Sequence, residues 1–457
     1  MRKFMIFGVL LALLATVVPL GAQEETITFW TTENQPERVE RQEAIAAAFM
    51  EANPGVTVEV VPIEQNELGQ LMTVNLAAGT LPDVMVVTLE FTTKWYRDGI
   101  LDTEAAGEVI DDLGMDTFSS GALALTEVED GLYSSVPSDG WGQLLIYRSD
   151  LFEANDLAAP TDYESILAAA QALNDPENGV IGFCGPNAPD QLYTWQTFEH
   201  VALANGATFV NDEGEITWET PEMEEAMQFY VDLMQTAGPE EQGWYWDQAR
   251  ANYFAGNCAM TIWSPFILDE MAGLRDAAFP TCPECADNPA FIAENSDFVS
   301  AFSGFSSEDP AAWGSAFYFG ISVNAPDAAK DYVRFLFEES YLDVLGVAAE
   351  GKFPLRLGTA DNPNEFVDAW SQLDVGVDRR APLADFYSEE DLETIVSGSE
   401  GYTRMGLSND QSEIANAVSS VFFIQENLVA AINDEISVAE ALENIQIETE
   451  DLQFDLE

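Results

Sequence analysis

The chain has 457 residues, 47% of them hydrophobic and 11% aromatic, and its 81 acidic against 16 basic residues give a formal net charge of −65. This length exceeds what one hydrophobic core usually organises, so two folded units are expected. A surface this negative repels phosphate backbones and anionic lipids, which argues against nucleic acid and membrane surfaces as partners. The acids are spread along the whole chain, a pattern typical of a solvated shell suited to high salt.

The first 22 residues have the three parts of a secretory signal. Two basic residues precede an apolar run from Phe4 to Val18, and small residues follow up to Ala22. The run is short for a membrane span and ends at a cleavage-like site. We therefore expect residues 1–22 to be removed as a signal peptide. The remaining chain is expected to be soluble, with no membrane span, and located in the periplasm or outside the cell.

Strands and helices alternate through the first third of the mature chain. The predicted strands are ETITFW, VTVEVV and PDVMVV, which are rich in β-branched residues. Between them, apolar residues recur at helical spacing from Val39 to Ala52 and again from Leu68 to Leu76, and Gly79 ends the second helix. This alternation with short connections predicts a parallel sheet covered by helices.

The middle of the chain begins with GLYSSVPSDGWGQLLIYRSDLF, in which Trp141 stands between two glycines. A helix is predicted over PTDYESILAAAQAL, with Thr161 as its N-cap and Glu164 completing a capping box. Further helices and strands follow, and the segment from Ser412 onward is mostly helical. The sequence has no internal repeats and no low-complexity linker, so the two units are expected to be joined through folded structure.

The sequence lacks the residues and motifs that most kinds of catalysis require. His200 is the only histidine, which argues against histidine-dependent triads and multi-histidine metal sites. The chain has neither G-x-S-x-G nor G-x-G-x-x-G. No metal and no cofactor is expected. One enzyme alternative stays open, a secreted glycosidase, because 81 acidic residues could supply a pair of carboxylates in an aromatic cleft.

The order of the segments resembles the family 1 extracellular solute-binding proteins of ABC importers, which include maltose- and other sugar-binding proteins. The matching segments cover nearly the whole mature chain. They are ITFW, FMEANPGVTVEVV, LAAGTLPDVMVV, GLYSSVP, LLIYRSDLFEANDL, PTDYESILAAAQAL, YFAGNCAMTIW and GISVNAPDAAKDYVRFLF. One departure is the stretch from about Phe279 to Ala312, which looks longer than usual.

The resemblance implies an α/β fold of two lobes, each a mostly parallel sheet flanked by helices, with a ligand cleft at the hinge. The expected N-terminal lobe is residues 23–138 with 315–350, and the expected C-terminal lobe is residues 139–314 with 351–457. The first crossing between lobes would lie near Pro137 to Gln143, and the return near Trp313 to Gly320. At the first crossing, Gly140 and Gly142 would leave the backbone free to adapt.

The function implied by the resemblance is that of a binding protein, not an enzyme. It would capture a mono- or oligosaccharide, close around it as a monomer, and deliver it to the permease subunits of an ABC transporter.

Sugar rings stack on flat aromatic side chains, and their hydroxyls pair with polar groups. Ligands collect beyond the carboxyl ends of parallel strands, where the candidate residues lie by this resemblance. A tryptophan taken alone is as consistent with the core as with a ligand platform, but strand-end position favours Trp141 and Trp263. The expected ligand-binding residues are Trp30, Glu33, Asn34, Thr88, Glu90, Asp139, Trp141, Trp263, Phe266, Trp313 and, as the best cationic candidate, Arg356.

Four cysteines in an exported protein predict two disulfides, and three pairings are possible. A zinc site of four thiolates is the alternative, but it needs two C-x-x-C motifs and only one is present. Proximity in one loop favours Cys282–Cys285. The other pair, Cys184–Cys258, follows only from the resemblance, which places both residues in the second lobe.

Overall fold

The structure is a computed structural model that describes residues 25–409 and 411–456, so the expected signal peptide at residues 1–22 lies outside the described residues. Fifteen strands are found in this part of the chain. They are β1 (Glu25–Thr31), β2 (Val56–Pro62), β3 (Val84–Thr88), β4 (Glu127–Glu129), β5 (Leu132–Tyr133), β6 (Val136–Gly142), β7 (Leu144–Tyr147), β8 (Ile181–Phe183), β9 (Cys258–Trp263), β10 (Asp297–Val299), β11 (Ala312–Ile321), β12 (Phe353–Pro354), β13 (Asp374–Val375), β14 (Ala381–Pro382) and β15 (Tyr402–Thr403).

Nineteen α-helices accompany these strands in the described ranges. They are α1 (Pro36–Ala52), α2 (Leu68–Ala78), α3 (Thr92–Arg97), α4 (Thr103–Leu113), α5 (Ser120–Ala124), α6 (Ser149–Ala154), α7 (Tyr163–Leu173), α8 (Leu192–Ala204), α9 (Pro221–Ala237), α10 (Trp246–Phe254), α11 (Leu268–Met271), α12 (Phe291–Glu294), α13 (Asp327–Glu338), α14 (Tyr341–Leu345), α15 (Glu365–Ser371), α16 (Glu389–Ser397), α17 (Ser412–Ser419), α18 (Phe423–Ile432) and α19 (Val438–Leu456).

Two large sheets organise the molecule, as expected for two α/β units. The first has the strand order β12–β6–β11–β3–β1–β2, with β15 beside β11. Strands β2 and β3 pair with β1 in parallel, in line with the predicted strand–helix alternation. Helices α1 and α13 cover this sheet, and the rings of Phe49 and Phe29 pack edge-on against Tyr332 at 5.1 and 5.7 Å.

The second sheet has the order β10–β7–β9–β8. Its helices bury a separate core, in which Tyr163 of α7 stacks on Phe229 of α9 at 3.6 Å between ring centroids. The prediction that each sheet is mostly parallel is wrong. Strand β7 is antiparallel to β9 and β10, and in the first sheet β11 is antiparallel to β3 and β6. The reason is the crossing: the chain leaves the first sheet along β6 and re-enters it along β11 in the opposite direction.

The first crossing between the sheets is a single residue, Gln143, which separates β6 from β7. Its main-chain N–H donates to the main-chain oxygen of Trp313 on β11 at 3.0 Å, so the outgoing and returning strands are joined at this point. The chain therefore passes from the first sheet to the second at Gln143. The boundaries of the two lobes stay a prediction.

Close packing, not backbone freedom, explains the two glycines beside Trp141, which corrects the expectation from the sequence. A Cβ at Gly140 would lie 3.0 Å from the carbonyl oxygen of Ser315, and one at Gly142 would lie 2.7 Å from the hydroxyl of Tyr402. Any larger residue at either position would push β6 away from β11 or from β15.

Helix ends follow the predicted chemistry with small shifts. Helix α1 begins at Pro36, three residues before the predicted start, because proline is favoured in the first turn. The N-cap of α7 is Asp162 and its capping box is completed by Ser165, so the predicted pair Thr161 and Glu164 is wrong by one residue at each position. Gly79 ends α2 in the left-handed conformation, as predicted.

All four cysteines are buried and paired. Cys184 bonds to Cys258 and Cys282 bonds to Cys285, which is the pairing expected above, and these bonds leave no thiolates for the zinc alternative. The first disulfide joins the end of β8 to the start of β9. The second closes a turn in the loop that precedes β10.

In residues 25–409 and 411–456, no single helix is long and apolar enough to cross a bilayer. Helices α17 and α18 together reach that length and composition, but the chain bends by 60° between them.

We expect salt to stabilise this protein. The charge of −65 causes self-repulsion in the folded state, which weakens as the Debye length falls from ~30 Å at 0.01 M to ~3 Å at 1 M salt. Melting temperatures measured in sodium chloride across that range should rise. A parallel series in sucrose, which does not screen charge, is the control. A melting temperature that is constant or falls with salt would show that the acids do not repel one another significantly.

Candidate functional site

A cavity of about 550 Å³ lies between the two sheets and is lined by residues from both sides of the crossing. We call it the central cavity. Strands β6 and β11 contribute Trp141 and Trp313 to it, and the segment after β3 contributes Glu90. The facing side is formed by Gln196 of α8 and by Arg404, which follows β15. A volume of this size is in the range of small-molecule binding sites.

Trp141 is the aromatic residue at the middle of this site. It is half-buried, and its ring centroid lies 5.0 Å from that of Trp313 with an angle of 50° between the planes. On another side its ring meets Phe266 edge-on at 6.4 Å. Because Trp141 lines the central cavity and is neither fully buried nor fully exposed, it presents an aromatic surface to any molecule held there.

The polar groups of the central cavity differ in whether the protein itself completes their hydrogen bonding. The hydroxyl of Thr88 is buried without a partner in the described part of the protein. The main-chain oxygen of Glu90 accepts a hydrogen bond at 2.9 Å from Asn416 of α17, and this contact joins the segment after β3 to the C-terminal helices. A buried hydroxyl without a partner is costly unless a ligand or water completes its bonding.

A second cavity, of about 330 Å³, lies beyond Phe266 and is lined by Trp246 and Trp263. We call it the side cavity. The rings of these two tryptophans are 5.6 Å apart, and the Arg250 guanidinium lies 4.6 Å from the Trp246 ring. The remaining charged groups are paired, with Arg250 bound to Glu270 at 3.0 Å.

The charged residues of the side cavity form a chain of ion pairs. Glu350 contacts Arg38 of α1 at 3.4 Å and Arg275 at 3.2 Å. Arg275 in turn binds Asp269 of α11 at 2.5 Å. These contacts connect a helix of the first sheet to the segment that follows β9.

Glu33 and Asp139 do not line either of these cavities. Both bind the ammonium group of Lys352 beside a small cavity of about 40 Å³, and the distance from Lys352 Nζ to Asp139 Oδ1 is 3.5 Å. Burial raises the pKa of Asp139 against the opposing charge of Lys352. Burial would also raise the pKa of Glu33, but Lys352 and Arg38 together hold it below its usual value. These carboxylates are engaged within the protein, beneath the cleft.

Phe317 of β11 separates this buried ion cluster from the central cavity. Its side chain lines both the small and the central cavity. The Lys352 ammonium lies 4.1 Å from the centre of its ring, so the cluster supports one wall of the cleft from behind.

Three further candidates from the sequence lie outside the cavities just described. Trp30 is half-buried against the core of the first sheet, and Asn34 is half-buried in the loop between β1 and α1. Arg356 is buried, and its guanidinium donates to the main-chain oxygens of Phe337 and Leu113 at 2.9 and 3.0 Å. The expectation of a ligand-binding arginine at this position is therefore corrected: Arg356 ties α4 and α13 together.

The structure also brings to the cleft residues that the sequence analysis missed. They are Trp195, Gln196, Arg404 and Asn416 in the central cavity, and Trp246 and Arg250 in the side cavity. The sequence held one indication that Arg404 has a special place, since it is the only basic residue after Arg380. No group of three or more histidine, cysteine or acidic side chains that could hold a metal ion is found among the described residues.

Comparison with known proteins agrees with this architecture. A family model described as "Bacterial extracellular solute-binding protein" matches residues 35–341. The Escherichia coli "Putative ABC transporter periplasmic-binding protein YcjN" is 32% identical over 263 residues, covering 56% of this chain and 60% of that protein. The mannitol-binding protein of Pseudomonas aeruginosa is 26% identical over 267 residues, covering 55% and 58%. The matches thus span about three-fifths of these relatives.

Among solved structures, maltose-bound MalE3 of T. maritima superposes with a TM-score of 0.64 at 19% identity, covering 93% of this chain and 99% of that one. This likeness confirms the expected two-lobed α/β fold, with a sheet in each lobe.

Proposed function

The chain belongs to the bacterial extracellular solute-binding protein family, and from this premise we propose that it captures a carbohydrate and delivers it to the permease subunits of an ABC transporter. In this proposal it acts outside the cytoplasmic membrane, as a monomer, after loss of residues 1–22. The family is one of binding proteins, so the glycosidase alternative is set aside.

The observation that carries the proposal is the composition of the central cavity. The half-buried Trp141 supplies aromatic surface, and the fully buried Trp313 supports it from behind. Thr88, Glu90 and Arg404 supply hydrogen-bonding groups around it. The apolar face of a sugar ring needs the first kind of group, and its hydroxyls need the second. The names of the relatives add support, because they include a mannitol-binding protein and a maltose-bound structure.

Delivery to a permease requires two conformations that the ligand can shift. The central cavity takes residues from the first sheet, from the crossing strands and from the C-terminal helices, so a bound sugar contacts both sides at once. Such a ligand binds the closed arrangement more tightly than an open one and increases its population. The short crossing at Gln143 and the return along β11 are the places where the two sheets can move relative to each other.

Native mass spectrometry of freshly purified protein tests the proposal, because tightly held ligands survive gentle purification. We expect an added mass that matches a sugar or polyol, and calorimetric titration with that compound should then give saturable binding. Turnover of the compound during the titration would contradict a pure binding function. A ligand of another class, such as a peptide, would contradict the proposed carbohydrate.

Replacing Trp141 by alanine is expected to weaken carbohydrate binding about tenfold to a hundredfold. A stacked aromatic contributes about 0.5–1.5 kcal/mol beyond its buried area, the lost apolar contact adds to this, and each ~1.4 kcal/mol is a factor of ten. Calorimetry should be accompanied by thermal melts, which we expect to change little. Trp30→Ala is the matched control, since Trp30 is half-buried outside the cavities described above. Unchanged affinity in Trp141→Ala, or an equal loss in Trp30→Ala, would refute the assignment of Trp141 as a platform.

A further inference from the structure

Glu199 of α8 lies behind the central cavity and binds two of the residues that line it. Its side chain is 1% exposed. One carboxylate oxygen accepts the indole N–H of Trp313 at 2.7 Å. The other accepts Nε–H of Arg404 and the main-chain N–H of Met405, both at 3.0 Å. A single buried carboxylate therefore fixes an aromatic ring and a cation of the cleft in one arrangement.

Arg404 is held so that part of its guanidinium faces the cavity. The centre of the guanidinium lies 4.2 Å from the centre of the Trp313 ring. Within residues 25–409 and 411–456, Glu199 is its only acidic partner, and the side-chain hydrogen bond between them uses Nε alone. The two terminal nitrogens are thus available to donate to a ligand, in the fork geometry that suits paired acceptors.

The charges around the cavity do not favour an anion. Glu199 cancels the charge of Arg404 from behind. Glu90 adds a carboxylate to the same cavity and has no basic partner in the described part of the chain. The three groups together carry one net negative charge, within a molecule whose overall charge is −65.

We propose that Glu199 is a positioning residue that makes the central cavity selective for neutral carbohydrates over the corresponding uronic acids. This inference rests on the proposed function and names the ligand class more narrowly. The hydroxyls of a neutral sugar donate to the Glu90 carboxylate and accept from the terminal nitrogens of Arg404. The carboxylate of a uronic acid needs an uncompensated cation, and Glu199 has already compensated the one that is present.

The expected selectivity is large enough to measure. Unit charges within several ångströms of each other at a partly buried site interact strongly enough to change an affinity tenfold or more. We therefore expect the protein to bind a neutral sugar at least tenfold more tightly than its uronic acid at pH 7, where the uronate is ionised.

The test uses calorimetric titration with matched pairs of probes. The pairs are gluco-, galacto- and manno-configured mono- to trisaccharides and the same compounds oxidised at C6 of the terminal ring. In Glu199→Gln the Arg404 charge is uncompensated, so the ratio of neutral to acidic affinity should fall about tenfold. In Arg404→Gln the Glu199 charge is uncompensated, so the ratio should rise. The double variant restores the original net charge, and its ratio should return towards that of the unmodified protein.

The ratio distinguishes a charge effect from damage to the fold. A variant that only disturbs the site weakens binding of both members of a pair and leaves the ratio unchanged. Glu225→Gln on α9 is the matched control, because Glu225 accepts hydrogen bonds from Asn205 and Ser306 and does not line the central cavity. Its ratio should equal that of the unmodified protein.

Three outcomes would overturn the inference. The first is an unmodified protein that binds uronic acids as tightly as neutral sugars. The second is a ratio that does not change in Glu199→Gln. The third is a ratio of neutral to acidic affinity that falls in Arg404→Gln. This third outcome provides the test if Glu199→Gln does not fold. If no sugar of either kind binds the unmodified protein, the proposed carbohydrate function itself fails, and the inference fails with it.

Discussion

Replacing Cys184 and Cys258 by alanine is expected to lower the free energy of unfolding by about 4 kcal/mol. The two cysteines are 74 residues apart, so their disulfide restricts a long loop of the unfolded chain. The loss of this restriction makes unfolding more favourable by an amount that grows with loop length. The bond also joins β8 to β9 in the second sheet, where both cysteines are fully buried.

Urea unfolding followed by tyrosine and tryptophan fluorescence measures this difference. The double variant Cys282→Ala with Cys285→Ala is the matched control, because its cysteines are only three residues apart. The same relation between loop length and entropy gives about 2 kcal/mol for that bond. Equal losses in the two double variants would show that loop length does not control the contribution of these disulfides.

Acid should destabilise the protein through His200, by about 3 kcal/mol between pH 7 and pH 4. The imidazole is fully buried, and burial lowers its pKa to about 4. Its Nε2–H donates to the main-chain oxygen of Ala311 at 3.1 Å, and Nδ1, where a proton would bind, has no partner in the described part of the protein. Folding therefore keeps this histidine neutral.

The sign of the effect follows from the two pKa values. In the unfolded chain the imidazole takes up a proton as the pH falls below its ordinary pKa of about 6.5, whereas in the folded protein it does so only near 4. The unfolded state thus binds more protons in this window, and stability falls as the pH is lowered through it. Above pH 7 His200 has no effect.

A comparison of the protein with His200→Gln isolates this contribution, because His200 is the only histidine. Glutamine keeps a donor for Ala311 and does not titrate. Urea unfolding at pH 7 and at pH 4 should show a pH dependence that is about 3 kcal/mol smaller in the variant. Buried acids such as Asp139, whose pKa burial raises, titrate in both proteins and cancel in the difference. Identical pH dependence in the two proteins would show that the imidazole is protonated as readily inside as outside.

The first sheet was predictable where its signals are local. The alternation from β1 to β3 is encoded in β-branched runs, helical spacing and Gly79, and all of it is found in the structure. The antiparallel pairing of β6 with β11 was not predictable, because it joins residues far apart in the chain and no turn fixes their register.

Some residues of the candidate site were likewise predictable from local sequence, and others were not. Glu90, Trp141 and Trp313 line the central cavity because they lie at the ends of strands or on the crossing strands, which the segment pattern already indicated. Glu33 and Asp139 lie at similar positions, but Lys352, far along the chain, engages both.

The two arginines show what a sequence alone does not reveal. Arg356 was expected to bind ligand, yet main-chain oxygens take up its guanidinium. Arg404 was overlooked, yet it lines the cavity beside Trp313. Arg356 binds the Leu113 carbonyl 243 residues away, and Arg404 binds Glu199 205 residues away. Side-chain direction at that range depends on the finished tertiary structure.

The contact between Asn416 and Glu90 has a consequence for biosynthesis. The central cavity draws on segments from β3 to α17, so a ribosome must have produced almost the entire polypeptide before this cavity can assemble. An incomplete chain that ends before α17 therefore lacks part of the wall of this cavity. The central cavity is complete only after the C-terminal helices have docked on the segment that follows β3.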